Sequence, residues 1–466
     1  MCAGVASHCW TLTLLGIRFH GDAASRFAQP PWASSSRGCR IVYFAFLTCR
    51  KERRPHLTRP VTAVADSTDG APSRRRSALT VFGAVTFTVA AVLPSFLLAG
   101  LATLVRADLD FDEAGLGLAI GSFYGASAVT AVPGGRLAER LGARRSLILG
   151  IALAVTSLVS IALLAQTWWH LLPGLMLAGA SNGVTQSAAS LAIARGVRQR
   201  RLGVAFGLKQ SAVPVASLLA GLAVPLIGLT IGWRWAFFIG AVAALALLAI
   251  VPAATEHHTA AQRAAHEPVR FARGQLRSLV VIAIASGCGA VAANSMGAFF
   301  VESAVWRGQG LAAAGLLLSL GSLTGIITRL GVGWLADRAV FDPLKVVGGM
   351  LVVGTSGFLY LAYGSGTAAL VVATIVAFAA GWGWPGLLQV AVVSENMHAP
   401  AAASGIAHAG TLTGGLIGPV VFGWLVARAG YPVAWTMVAA VAFCGGWLLL
   451  YERRRSARAA AGNEEG

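Results

Sequence analysis

Charge is scarce in this 466-residue chain. Only 12% of its residues are Asp, Glu, Lys or Arg, about half the ~25% usual in a soluble domain. With 56% hydrophobic residues and a mean hydropathy of +0.71, the chain cannot cover its own apolar surface, so a lipid bilayer must. The apolar runs are continuous rather than alternating, which argues against a β-barrel. Cysteine is sparse and unpaired in pattern. Cys2, Cys9, Cys39 and Cys49 precede the first long apolar run, Cys288 and Cys444 lie inside later ones, and no CxxC spacing suggests a metal or redox pair. No Ser–His–Asp, metal-ligand or phosphate-cradling arrangement appears. The glycine-rich GGLIGPVVFG (Gly414 to Gly423) follows no strand and sits within an apolar segment. An enzyme is not expected, nor is a cofactor or a metal.

Lysine is scarcer still. Of 36 basic residues only Lys51, Lys209 and Lys345 are lysine, and Lys209 lies inside VAFGLKQSAVPVASLLAGLAVPL, where a cation is expensive unless it has a task or an escape route. The net charge of +18 points toward nucleic acid until its distribution is considered. The charges fall in short runs between apolar segments, which is a topology signal. No nucleic-acid partner is expected.

Twelve apolar segments follow the N-terminal stretch, over about 79–105, 114–133, 146–166, 169–194, 203–227, 233–252, 279–302, 311–333, 344–364, 367–393, 403–427 and 432–451. The sequence therefore predicts an all-α membrane protein of two six-helix bundles, 79–252 and 279–451. A polar linker at 253–278 joins them, and a short tail covers 452–466. Residues 1–78, rich in Arg, Ser and Pro, read either as a disordered basic tail or as sequence ahead of a true start near Val61 or Val64. Connections on one side carry 21 Lys and Arg, against 4 on the other. Positive residues stay in the cytoplasm, so both termini and the linker are expected there, with the protein multi-pass in the cytoplasmic (inner) membrane. The halves also repeat: Gly135, Glu139 and Arg140 map onto Gly333, Asp337 and Arg338 at a constant offset of 198. Such repeats mark secondary transporters, whose bundles rock about a site between them.

GGRLAERLGARR after the second segment, with its weaker copy GWLADR after the eighth, resembles the signature loop of the major facilitator superfamily. The resemblance covers about residues 79–451 and implies that fold and secondary transport. It also implies that the loop, through Gly135, Glu139, Arg140, Gly142, Arg144 and Arg145 with Gly333, Asp337 and Arg338, latches the outward-open state. Gly135 and Gly142 would permit tight turns, and Glu139 would face the positive end of a neighbouring helix. The alternative is that the arginines only anchor topology. Proton-coupled exporters of the superfamily carry an arginine in helix 4 and a Gly-Pro-rich motif in helix 5. LMLAGASNGVTQSA and VASLLAGLAVPL have neither, which disfavours drug–proton antiport. Arg329 resembles the helix 8 arginine of monocarboxylate-type members. However, Gly325 replaces their aspartate, and helix 1 has no lysine.

Every Asp and Glu falls in a tail, a loop or a helix end, with Glu302 and Glu395 nearest the membrane. The interior charges are thus Lys209 and Arg329, cations with no evident carboxylate partner, which an anionic ligand would neutralise. Snorkelling is the alternative for Lys209. Tyr124, Asn182, Gln186, Gln210, Asn294, Trp382, Trp384, Gln389 and His408 are the other substrate-binding candidates. Aromatic walls with a few amides suit a small organic solute, although each could equally serve helix packing. The leading expectation is a monomeric transporter of a small organic anion such as a monocarboxylate. An exporter of hydrophobic or cationic compounds, or a non-transporting sensor on the same fold, are the alternatives. Coupling to a proton or ion, uniport and exchange all remain open.

Overall fold

The computed structural model describes residues 74–197, 202–251, 271–336, 341–396 and 399–464. Among these every regular element is a helix. The spans are α1 (Arg74–Gly100, continued by a short helix Ala102–Leu109), α2 and α3 (together Glu113–Leu164), α4 (Leu171–Gly196), α5 (202–228) and α6 (Trp233–Ala249). The second half comprises α7 (Arg273–Trp306), α8 (Leu311–Ala336), α9 (Pro343–Tyr363), α10 (Thr367–Glu395), α11 (Pro400–Ala429) and α12 (Tyr431–Glu464). Twelve crossings result, six on each side of the linker. Most of the linker, and all of residues 1–73, lie outside the described residues.

The 52-residue stretch Glu113–Leu164 is two crossings that meet at Gly142, whose φ of 81° lies where only glycine is at ease. The predicted loop GGRLAERLGARR is therefore helical up to Gly142. Gly135 is not in a turn: it sits within α2, with the Ser187 hydroxyl 3.7 Å from where a Cβ would be. Helix starts follow familiar chemistry. The Asp112 carboxylate accepts from Gly115 N at 2.8 Å to open α2, and Asp342 accepts from Leu344 N at 3.1 Å, with Pro343 in the first turn of α9. Helix α4 is the least apolar crossing because Ser181, Asn182 and Thr185 lie in it, and these face protein rather than lipid, all three being buried.

Interruptions in α5 and α10 shape the interior. Pro214, which has no N–H, cannot bond back to the Gln210 carbonyl, and α5 breaks at Ser211. In α10 a π-helical turn, Ala377–Gly381, leads into a break at Trp382 to Trp384 before Pro385 restarts the helix. The carbonyl that Pro385 leaves open, Gly381 O, accepts from the Trp384 indole at 3.1 Å.

The bundles interlock tightly at the end remote from the signature loop, here the far end. Gly117 of α2 lies against the Pro419 carbonyl and Gly423 of α11 against the Glu113 carbonyl, with no room for a Cβ at either. Along α5 and α8, Ser322 Oγ donates to Ser217 Oγ at 2.8 Å and Ser319 Oγ to the Leu218 carbonyl at 3.1 Å. At the loop end the relation changes: Gly207, Gly331, Gly333 and Gly405 face open space. Gly117→Val is accordingly expected to hold the far end apart. Overpacking of about 1–3 kcal/mol would shift the balance of states by roughly tenfold to a hundredfold, read as slowed uptake and faster labelling of far-end cysteines. Unaltered uptake and labelling would remove this seam from the working cycle.

Candidate functional site

Lys209 lies seven residues into the first segment of α5, Leu202–Gln210, about 10 Å from the loop end of that helix. Its side chain does not run out to the interface. It is 5% exposed, and Nζ donates to the Gln186 carbonyl at 3.0 Å and to Ser190 Oγ at 2.7 Å, both on α4. These partners are neutral, and among the described residues no carboxylate pairs with it. An ammonium has three donors, so one remains. His408 of α11 lies within electrostatic reach of Lys209 from across the bundle boundary. Its side chain is solvent-accessible.

Arg329 of α8, also buried, joins the two bundles. Its Nη1 donates to the Gln210 carbonyl at 2.5 Å and its Nη2 to the Trp382 carbonyl at 2.8 Å. These are groups that Pro214 and the α10 break leave without helical partners. Nε has no acceptor. The guanidinium carbon stands 5.8 Å from the Trp382 ring centre, and that ring in turn meets Phe96 of α1 at 5.9 Å and Phe378 at 5.4 Å. Among the described residues, Lys209 and Arg329 are thus the buried cations, and their acceptors are uncharged.

Beyond them, toward the far end, Tyr124 of α2 donates to Asn294 Oδ1 of α7 at 2.5 Å. This pair walls a small cavity of about 10 Å³ together with Ser95, Phe96 and Ile120, room for roughly one water. A larger hollow of about 540 Å³ opens on the far-end surface between Asp108, Gly228 and Trp233 to Trp235, and contains none of the predicted site residues.

The structure therefore gathers Lys209, His408, Arg329, Gln210, Trp382, Tyr124, Asn294 and the backbone of Gln186 along the boundary between the bundles. It places the other candidates elsewhere. Trp384 is 1% exposed and packed against Gly289 and Leu351 within the second bundle. Asn182 Nδ2 donates to Ser127 Oγ at 2.7 Å within the first bundle, while its Oδ1 accepts from no donor. Gln389 Nε2 donates to Ser404 Oγ at 2.8 Å, linking α10 and α11. Sequence reasoning missed Ser190 and Phe96. Ser190 was within reach, because positions 182, 186 and 190 share one helical face. Of the latch residues, Glu139, Arg140 and Arg145 are exposed and Arg144 half-buried, Gly333 faces open space, and Asp337 and Arg338 lie outside the described residues.

Twelve crossings in two six-helix halves, with polar groups converging between them, define a multi-pass membrane protein built as a transporter. The family model for the Major Facilitator Superfamily matches residues 77–407, and the chain belongs to that superfamily. In fold it is similar to the crystal structure of the nucleoside transporter NupG, with a TM-score of 0.64 and 17% identity over 80% of this chain and 99% of that one. No curated protein matches the chain in sequence.

Proposed function

We propose that this transporter moves a small organic anion across the cytoplasmic membrane by alternating access, with both termini in the cytoplasm. The observation that carries this reading is the pair of buried cations, Lys209 and Arg329, 5% and 8% exposed and bonded only to carbonyls and a hydroxyl. A charge held away from water is stabilised far better by an opposite charge than by neutral dipoles, and each cation retains a donor for it. A carboxylate entering between the bundles from the loop end would meet Lys209 and His408 first. Trp382 and Phe96 would supply the apolar wall, and the Tyr124–Asn294 pair would close the site above. The excess of positive connections on the loop-end side supports placing that end in the cytoplasm.

Ligand-induced stabilisation of the purified protein tests this. A transported anion at a hundred times its dissociation constant is expected to add about 2.7 kcal/mol, raising the melting temperature by several degrees. Neutral isosteres, nucleosides among them, should leave the temperature unchanged. Stabilisation by neutral solutes alone would refute the anion assignment and leave the transporter fold intact.

A further inference from the structure

At the far end, Arg106 stands between two carboxylates. Its Nη1 lies 3.0 Å from Glu113 Oε1 and 2.8 Å from Glu302 Oε1, while its Nε donates to the Phe111 carbonyl at 3.0 Å. Glu302 is 5% exposed, and the Tyr431 hydroxyl donates to its other oxygen at 3.5 Å. The group spans both bundles. Arg106 comes from the short helix that continues α1, Glu113 from the start of α2, Glu302 from the end of α7 and Tyr431 from the start of α12. The sequence placed Glu302 only at a helix end, and its burial against a basic residue nearly two hundred positions away comes from the fold.

The charges do not balance. One guanidinium serves two carboxylates through a single nitrogen, where Glu302 has lost its water, so one negative charge is left over. Leaving a buried charge uncompensated is costly, and a proton held by one of two close carboxylates removes the excess. Among the described residues Arg106 is the only cation acting on Glu302, and Glu113 has besides it only the partial positive charge at the start of α2. Asp112 is committed to Gly115 N, α11 presents Phe422 and Gly423, and α12 presents Tyr431. On α7 itself Ser303 accepts from the Trp435 indole and Trp306 packs on Tyr431. When the bundles part at this end, Glu302 leaves with the second bundle, regains water and releases the proton to the solution on that side.

We infer that Arg106, Glu113 and Glu302 form a proton-operated gate: a proton on the carboxylate pair holds the far end shut, and its loss frees Glu302 from the first bundle. The closed state binds this proton more tightly than the open one, so by linkage acid favours closure and alkali favours opening. The inference does not depend on the identity of the substrate.

Spin labels on cysteines introduced at Ala107 and Ser365, one exposed far-end position on each bundle, would report the gap in the full-length chain with its native cysteines replaced. The short-distance population is expected to dominate at about pH 5 and give way to a longer one at about pH 8. Glu302→Gln, a fixed mimic of the protonated acid, should keep the short distance at both. A distribution that ignores pH, or a pH response that survives in Glu302→Gln, overturns the gate. Should Glu302→Gln not fold, Glu113→Gln carries the test at a half-buried position. One carboxylate then faces one guanidinium, so the pH response must vanish, and its persistence refutes the inference.

Discussion

Lys209→Gln is expected to lower transport of an organic anion about 100-fold while the protein still folds and inserts. Glutamine can reach toward the Gln186 carbonyl and Ser190 Oγ, the two partners that Lys209 now holds at 3.0 and 2.7 Å, so helix packing between α4 and α5 is retained. What is lost is the charge. Hydrogen bonds to charged groups contribute roughly 1.5–3 kcal/mol, and about 1.4 kcal/mol is a factor of ten in binding. Lys209→Arg should recover part of the loss, because it restores charge with a different shape. Lys209→Glu should abolish anion transport altogether, since it puts a like charge against the substrate. Uptake into proteoliposomes checks all three. A snorkelling lysine would make Lys209→Gln almost silent, yet the 5% exposure and the two bonds inward onto α4 are not those of a side chain reaching for the interface.

The second large effect belongs to Arg329, and it should appear in stability as well as in transport. Arg329→Met fills similar volume but removes both donors from the Gln210 and Trp382 carbonyls. Neither carbonyl has an obvious replacement, because Pro214 supplies no N–H to the first and the second sits in the α10 break. A buried acceptor left without a partner costs about 1–3 kcal/mol, so the loss is expected to be about 2–5 kcal/mol. Arg329→Lys should rescue it only partly, since one ammonium cannot span both carbonyls as a planar fork does. Thermal unfolding in detergent measures this directly. If Arg329→Met were as stable as the unaltered protein, the bridge between α5, α8 and α10 would have no energetic weight. The partnerless Nε would then be the only reason to keep an arginine there.

Much of this architecture was legible in the chain itself. Twelve apolar segments, the polar linker and the repeated signature lie along the sequence, and local composition suffices to find them. Lys209 stood out because a lone lysine in apolar sequence is anomalous whatever it contacts. The details that failed depended on geometry. GGRLAERLGARR has the glycines of a loop, but only Gly142 takes a positive φ, and the helix runs through Gly135. Trp384 carries the same residue type as Trp382 two positions away. It turns instead into the second bundle, where its indole satisfies the carbonyl that Pro385 cannot. Glu302 looked like an ordinary helix end, since nothing local shows that α7 delivers it to Arg106. A residue's depth in a helix can be counted from sequence, but the face it presents and the partner it meets are set by how the helices pack.

The central claim, that the buried cations attract an anionic substrate, is tested most directly by counterflow in proteoliposomes loaded with one solute at a time. Anions and their neutral analogues should be compared in the unaltered protein and in Lys209→Gln. Accumulation of an anion is expected, with no exchange of its neutral analogue and with loss of that accumulation in Lys209→Gln. Exchange confined to neutral or cationic solutes, or anion exchange undiminished in Lys209→Gln, would contradict it.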